Sequence, residues 1–460
     1  MSLLVEHPID YEPGQVGRHT YVTRRRRGRL SIALVLSVYV VLLYVLPAHL
    51  IVPNLTYAGR PALLIALGLF SWWLLARLNP RLLLVGPQPL RWVTLAYLAS
   101  LLLSYVAGIM RGLPTLEANA QNFTVLITLE FFGVVLMVAD GLPNLARLNT
   151  VLRMLVWSAV FMALVGIIQS TFKFDIAALI QLPGLQFKAA VAGFQNRGDP
   201  GLFRVAGTAT HFIEFSTVLA MAVPFAIHYA RFAPSRRLRV AFTIAALVIC
   251  AAIPMAISRT GIVALVAGVG VMFMMAWDWR VRYNILCITV VLMGALSVLK
   301  PGLLGTLRYL FGAGSADDSL TGRTDDYELV ARWFSERPIL GRGPGTLVPD
   351  LYIWLDNQWL LTLVTFGLLG VATLLALHVV SIWQAGLARR RSERPEDKHL
   401  AAALVASQVV GILVGLTFDS LSFSTYTFTL ALLCGCCGAL WRFTHPARTI
   451  RTSVVSGQIM

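Results

Sequence analysis

The sequence predicts an all-α protein, a polytopic membrane bundle of about twelve transmembrane helices with a long helical extracytoplasmic loop between the ninth and tenth spans. Three observations predict it. Of 460 residues, 57% are hydrophobic and only 13% charged, more apolar surface than a soluble domain of this size can hide. The apolar residues fall into runs near the ~20 residues needed to cross a hydrocarbon core. The loops between those runs alternate sharply in charge, as positive-inside topology requires.

The expected spans lie near 30–51, 60–79, 91–110, 122–139, 151–171, 210–230, 239–257, 260–277, 283–299, 357–383, 400–418 and 421–441. Residues 1–29 form a basic tail whose Arg24–Arg27 cluster precedes a run too long for a secretory signal. Residues 30–442 form the transmembrane domain and 443–460 a second tail. One set of loops holds Arg77, Arg81 and Arg91; Arg147; Arg231, Arg236, Arg237 and Arg239; Arg280 and Arg282; Arg389–Arg391, Arg394 and Lys398; and Arg442, Arg448 and Arg451. The positive-inside rule makes this set, with both termini, cytoplasmic. The formal net charge of +16 is then mostly loop anchoring. Nucleic acid is not an expected partner; membrane lipids are. The five cysteines lie in apolar runs without metal-ligand spacing, so no metal or cofactor is expected.

The opposite loops include two long segments, about 172–209 and 300–356, of a length that usually carries function. Phe172–Ala192 mixes apolar residues with Lys173, Asp175 and Lys188, the pattern of an interfacial helix. In the second loop Thr324 is placed to cap a helix whose first turn holds Asp325 and Asp326. Tyr327, Val330, Ala331 and Phe334 share one face, and Pro338 ends it. Gly341-Arg-Gly-Pro-Gly345 opens no nucleotide-binding pattern and reads as a turn returning the loop to the membrane.

Charged and polar groups converge on this outer side. Arg197, Asp199 and Arg204 precede the sixth span, and His211 and Glu214 share a face of its first turns. Ser258-Arg259-Thr260 makes a tight turn between the seventh and eighth spans. Arg323, Arg332, Arg337 and Arg342 belong to the large loop. Asp356 and Asn357 open the tenth span, and Asp419 separates the last two. Positive charge on the side that normally lacks it points to an anionic ligand, and a guanidinium matches phosphate oxygens. Arg259, with no room to wander into solvent, is the sharpest member; with Arg204 and Arg323 it outlines a diphosphate site. Glu130, near the middle of the fourth span, is read as a core group, and His228 and His378 as structural groups near the inner face.

Residues 319–346 and 356–370, with Arg204-Val-Ala-Gly-Thr-Ala-Thr-His211 and Ser258-Arg-Thr-Gly261, resemble segments of the bacterial O-antigen ligase and O-antigen polymerase superfamily. The resemblance implies an all-helical, metal-independent glycosyltransferase of the bacterial inner membrane, with its active site extracytoplasmic. Such an enzyme takes a glycan from a polyprenyl-diphosphate-linked oligosaccharide donor and passes it to a glycan or glycolipid acceptor. It implies that Arg204, Arg259 and Arg323 hold the diphosphate, with Ser258, Asn357, Arg197 and Arg342 in support. Ligases of the family usually carry His-Asn where this chain has Asp356-Asn357, and often Asn where Glu214 stands. A carboxylate can also take a hydroxyl proton. Asp356 is therefore the first base candidate, with Glu214 and His211 behind it. A transporter or flippase of an anionic lipid-linked glycan is the competing reading. It calls for polar residues through the inner half of the spans, where the sequence shows few. A glycosyltransferase with its carboxylate in the first outer loop is disfavoured, because residues 47–60 contain no Asp or Glu.

Overall fold

A computed structural model describes residues 31–53, 55, 59–78, 87–188, 194–196, 203–276, 279–280, 282–283, 287, 318–349 and 351–446; the side chains of 194–196, 203 and 318–326 are not described. Arg197, Asp199, the Arg323 side chain and nearly all of the ninth expected span fall outside the described part.

The described residues form twelve α-helices: α1 (Ile32–Val45), α2 (Pro61–Leu78), α3 (Pro89–Met110), α4 (Thr115–Gly141), α5 (Leu145–Phe172), α6 (Phe212–Phe232), α7 (Arg236–Ala252), α8 (Arg259–Ala276), α9 (Asp318–Glu336), α10 (Gln358–Arg391), α11 (Pro395–Val414) and α12 (Ser424–Thr444). Ten of them, all but α1 and α9, are long and apolar enough to cross a membrane. The protein is thus an all-α, multi-pass membrane bundle. Strand structure among the described residues is limited to two short antiparallel pairs, β1 (Leu50–Ile51) with β2 (Gln186–Phe187) and β3 (Phe194–Asn196) with β4 (Phe203–Val205).

Local chemistry sets the helix ends. Asn144 caps α5 by accepting from Arg147 N at 3.0 Å, and Ser235 caps α7 by accepting from Leu238 N at 3.2 Å. Proline opens α2, α3 and α11 at a position that needs no N–H. The centre of the bundle is α6 and α12, each 89% buried over its apolar window, whereas α2, at 22%, is peripheral. α12 packs on α4 and α10, and α6 on α5, α7, α8 and α11. Small residues permit the closest approaches: a Cβ on Gly261 of α8 would overlap Ser216 of α6, and one on Gly435 of α12 would meet Val135 O of α4 at 2.8 Å.

Two expectations for the long loops are corrected. Phe172–Ala192 forms no interfacial helix over its described part. After α5 it makes only a 3-10 turn, Ile176–Leu179, and then β2, which pairs with β1 of the first connection. Asp175 supplies the reason, accepting from Ala177 N at 3.1 Å and from the Gln169 side chain at 2.7 Å, which ties the chain into a local turn. The helix in the second loop begins at Asp318, so Thr324, Asp325 and Asp326 lie inside it and Thr324 is not its cap. Its covered face centres on Val330, which packs with Leu347, Leu355 and Val364, while Tyr327 is 55% exposed.

α10 is broken at Gly367, with φ +70° and ψ −168°. The break strands backbone groups that an apolar surrounding cannot satisfy. The glycine-rich loop after α9 satisfies them. Arg342 N and Gly343 N donate to Val364 O and Thr365 O at 2.9 and 3.0 Å, and Leu368 N donates to Pro338 O at 2.9 Å. Gly341, Gly343 and Gly345 all take positive φ to make this approach.

Candidate functional site

Connections α1–α2, α3–α4, α5–α6, α9–α10 and α11–α12 meet at one end of the bundle and are cross-bonded. Ala48 N donates to Thr208 O at 2.8 Å, Gln358 N donates to Gly415 O at 2.8 Å and to Phe418 O at 3.1 Å, and Arg111 Nε donates to Arg342 O at 3.3 Å. Through the packing of β4 on the 3-10 turn Ile253–Ala256, the α7–α8 connection joins them.

Arg204 lies on β4, and its guanidinium sits 4.3 Å from the centroid of the Phe212 ring. His211 stacks on the other partner of that pair, with ring centroids 3.9 Å from Phe212 and 5.5 Å from Phe423. His211 also caps α6: its Nδ1 accepts from Ile213 N at 3.3 Å. Burial, and then the Arg204 charge, push its pKa down to about 4. A neutral imidazole that accepts at Nδ1 carries its proton on Nε2, so His211 presents a donor rather than a base.

Arg259 opens α8, half-buried, immediately after Ser258, whose hydroxyl accepts from Gly261 N at 3.3 Å. Ser258 is buried and caps the helix. The close approach of Gly261 to Ser216 sets the start of α8 beside the first turns of α6, and β4 packs on the preceding turn. The Arg204, His211 and Arg259 segments are therefore neighbours.

Glu214 has another task. It is fully buried, and its carboxylate accepts from Thr210 N at 2.7 Å, Thr425 N at 2.6 Å and Tyr426 N at 3.1 Å. It caps α12 from α6. Its counter-charge is Arg60, a buried arginine that sequence reasoning passed over. Arg60 donates to the hydroxyls of Ser424 and Thr425 at 2.8 and 2.9 Å and to Leu43 O. Three backbone N–H groups occupy its oxygens and it is shut off from solvent, so Glu214 ties the start of α6 to that of α12. Arg342 is likewise committed. Its guanidinium lies 5.4 Å from the Trp333 ring and 5.2 Å from that of Tyr352, and it donates to the Tyr352 hydroxyl at 3.1 Å. Tyr352 in turn donates to buried Glu117 at 2.5 Å, and Arg111 pairs with the same carboxylate. This group fastens the α9–α10 segment, with Arg342, to the α3–α4 turn.

Asn357 caps α10, accepting from Trp359 N and Leu360 N at 3.0 and 3.1 Å. Asp356 before it is exposed. Within electrostatic reach lies Asp419, on the turn before α12. Burial pushes the Asp419 pKa up to about 6; the Ser422 hydroxyl opposes the rise and the Asp356 carboxylate adds to it. Asp419, noted in the sequence only as a polar group between spans, is the carboxyl that sequence reasoning undervalued. Its signal was position, since it separates two spans at the end where Asp356 opens another. Aromatic contacts link the two halves of the site: Phe418 lies 5.5 Å from Phe423, which His211 touches. No three His, Cys, Asp or Glu side chains among the described residues are grouped to hold a metal ion.

Fold and site together define a multi-pass helical membrane protein with arginines and carboxyl groups assembled at one end. Residues 244–375 match the family model described as O-antigen ligase, which bears out the resemblance to the O-antigen ligase and polymerase superfamily. The match indicates an O-antigen ligase-like membrane glycosyltransferase. It takes in Ser258, Arg259, Arg323 and Asp356; the α5–α6 and α11–α12 connections, with Arg204, His211 and Asp419, lie outside it. No curated protein matches the chain at a significant level.

Proposed function

We propose that this protein transfers a glycan from a polyprenyl-diphosphate donor to an acceptor hydroxyl at the extracytoplasmic face, as an O-antigen polymerase or ligase does. The supporting observation is the convergence of the Arg204 and Arg259 segments on the start of α6, next to the turn before α12 that carries Asp419, with Asp356 of the neighbouring α9–α10 connection within its electrostatic reach. As the glycosidic bond breaks, negative charge grows on the departing diphosphate. Arg204 and Arg259 stabilise it, with His211 Nε2–H as a further donor and Arg323 as the contribution of α9. The acceptor hydroxyl attacks from the opposite side of the anomeric carbon, which inverts it, and gives its proton to the Asp356–Asp419 pair. Arg259→Ala, purified with its fold intact, is expected to lower consumption of a lipid-linked glycan by about 10²–10³-fold; near-normal turnover removes Arg259 from the site.

One observation favours the transporter reading. His378, Ser381 and Gln384, three residues apart on α10, form a buried polar stripe through the half of the bundle away from the site, and Gln384 donates to Gln88 at 2.7 Å. Movement of a lipid-linked glycan across proteoliposomes with no change in glycan length would select that reading.

A further inference from the structure

Between α10, α11 and α12 runs a series of buried polar groups that no step of the proposed transfer uses. It starts at the site. Asp419 is followed by Ser420, whose side chain hydrogen-bonds the Tyr426 hydroxyl. That hydroxyl donates to Gly411 O at 2.9 Å. A Cβ on Gly411 would lie 3.5 Å from the Tyr426 hydroxyl and 3.2 Å from the His378 ring, so the two side chains flank one point. Gln408 bonds the His378 ring on one side, and its Oε1 accepts from the Cys434 thiol at 3.5 Å on the other. Cys434 also reaches Ser381. Gln384 follows three residues on, about 4.5 Å along the helix. It donates to Gln88 at 2.7 Å, and Gln88 stands just before α3, at the end of the bundle away from the site.

Every side chain in the series after Asp419 is buried. Three of its atoms, His378 Nδ1, Gln408 Nε2 and Gln384 Oε1, have no hydrogen-bond partner among the described residues. Polar groups that only fasten helices together pair their atoms, because an unmet buried donor or acceptor is costly. These three atoms, spread along the series, instead offer anchorage to internal water. Hydroxyls, an imidazole and water held by amides make up the kind of file along which protons pass, and a histidine within it serves as a shuttle.

Resting on the proposed glycosyl transfer, we infer that this file carries the proton released at Asp419 to the opposite end of the bundle, so that glycosyl transfer is coupled to proton movement across the membrane. The acceptor oxygen bonds the anomeric carbon and gives its proton to Asp419. The bond from that carbon to phosphate oxygen breaks, and its electron pair stays on the lipid diphosphate. The freed terminal phosphate has a second pKa of about 6, so at neutral pH it leaves the acceptor's proton unclaimed. That proton passes from Asp419 through Ser420 and Tyr426 to His378. The imidazole gains a proton on one nitrogen and loses one from the other, which regenerates it. Ser381, Gln384 and Gln88 complete the path to water at the far end.

The test uses the full chain in phosphatidylcholine liposomes, with pyranine trapped inside as pH indicator and valinomycin with potassium to balance charge. An undecaprenyl-diphosphate-linked glycan is added to the outer leaflet only, so that only molecules whose site end faces outward turn over. The lumen should acidify as glycan bonds form, by about one proton per bond. His378→Leu should lose the lumenal signal while bonds still form and their protons appear outside. Gln408→Met should do the same, and serves alone if His378→Leu fails to fold. A fastening role for His378 would move the melting temperature and the total turnover, but not the side on which the proton emerges. Bonds formed with all protons outside in the wild type, or a lumenal signal indifferent to both substitutions, overturn the inference and leave glycosyl transfer standing. Lumenal acidification without bond formation gives the file to a transporter and overturns the inference. Absence of both bonds and acidification removes glycosyl transfer, and the inference with it.

Discussion

Asp419 differs from the other carboxylates of the site end in being half-buried beside a second acid. Glu214 and Glu117 are wholly enclosed and hydrogen-bonded, and Asp356 is exposed. A carboxyl titrating near 6 is close to neutral working pH, where a general base is most effective. Only the ionised form accepts a proton, so transfer should fall as pH drops through about 6. Asp356→Asn removes a neighbouring negative charge, lowers the Asp419 pKa and should move that limb to more acid pH. Asp419→Asn should abolish the limb together with most of the rate. A rate–pH profile of both variants checks this; an unmoved limb in Asp356→Asn would uncouple the two acids. Glu214 predicts the opposite kind of phenotype. Glu214→Ala strands Arg60 and three backbone N–H groups in the interior, and should cost about 3–5 kcal/mol of stability, read as a large drop in the melting temperature of the detergent-purified protein. A base would instead lose rate with an unchanged melting temperature. Sequence placed both acids at the correct end of their spans, but it could not separate them. What distinguishes a strut from a base is whether Thr425 N and Tyr426 N, some two hundred residues away, point at the carboxylate. For the same reason Arg60 passed unnoticed, although it is an arginine at the same end of the bundle as Arg204 and Arg259.

At the scale of elements, the broken helix α10 and the glycine loop that patches it form one unit. A Cβ on Gly367 would overlap Ile339 O, and one on Gly341 would lie 2.5 Å from Thr365 O. Neither residue can become alanine without pushing the strands of backbone apart, and both hold φ near +70°, a region that costs a non-glycine residue about 1 kcal/mol or more. Gly367→Ala and Gly341→Ala should each sharply reduce the yield of monodisperse protein in size-exclusion chromatography, whereas Gly386→Ala, in open space on the same helix, should be silent. The sequence marked the loop as a return to the membrane and the tenth span as one run, because Gly367 sits in an apolar stretch with no proline or charge to announce a break. The helical cap was foreseen on Val330 and Pro338, yet its start was misplaced at Thr324, a good cap residue that the chain overrides by continuing the helix from Asp318.

For the whole molecule, hydrophobic run length was enough to read the bundle, since span ends deviate from the structure by only a few residues at α2, α6 and α8. Function was less legible, because the site is assembled from six connections and only their common side is encoded locally. That side has a direct check. With the native cysteines replaced, a cysteine at Leu351 and one at Arg236 should react with a membrane-impermeant maleimide from opposite faces of intact cells, Leu351→Cys from outside; labelling of both from one face would refute the alternation of loops.

The patched break in α10 also bears on how the chain enters the bilayer. The loop that supplies the missing partners, Pro338–Gly345, is made before the half-helix that needs them and must be in place when residues 358–367 enter the bilayer. A half-helix with Val364 O and Thr365 O unanswered has no comfortable resting state in lipid. The tenth span should therefore leave the translocon only as a hairpin with its upstream segment.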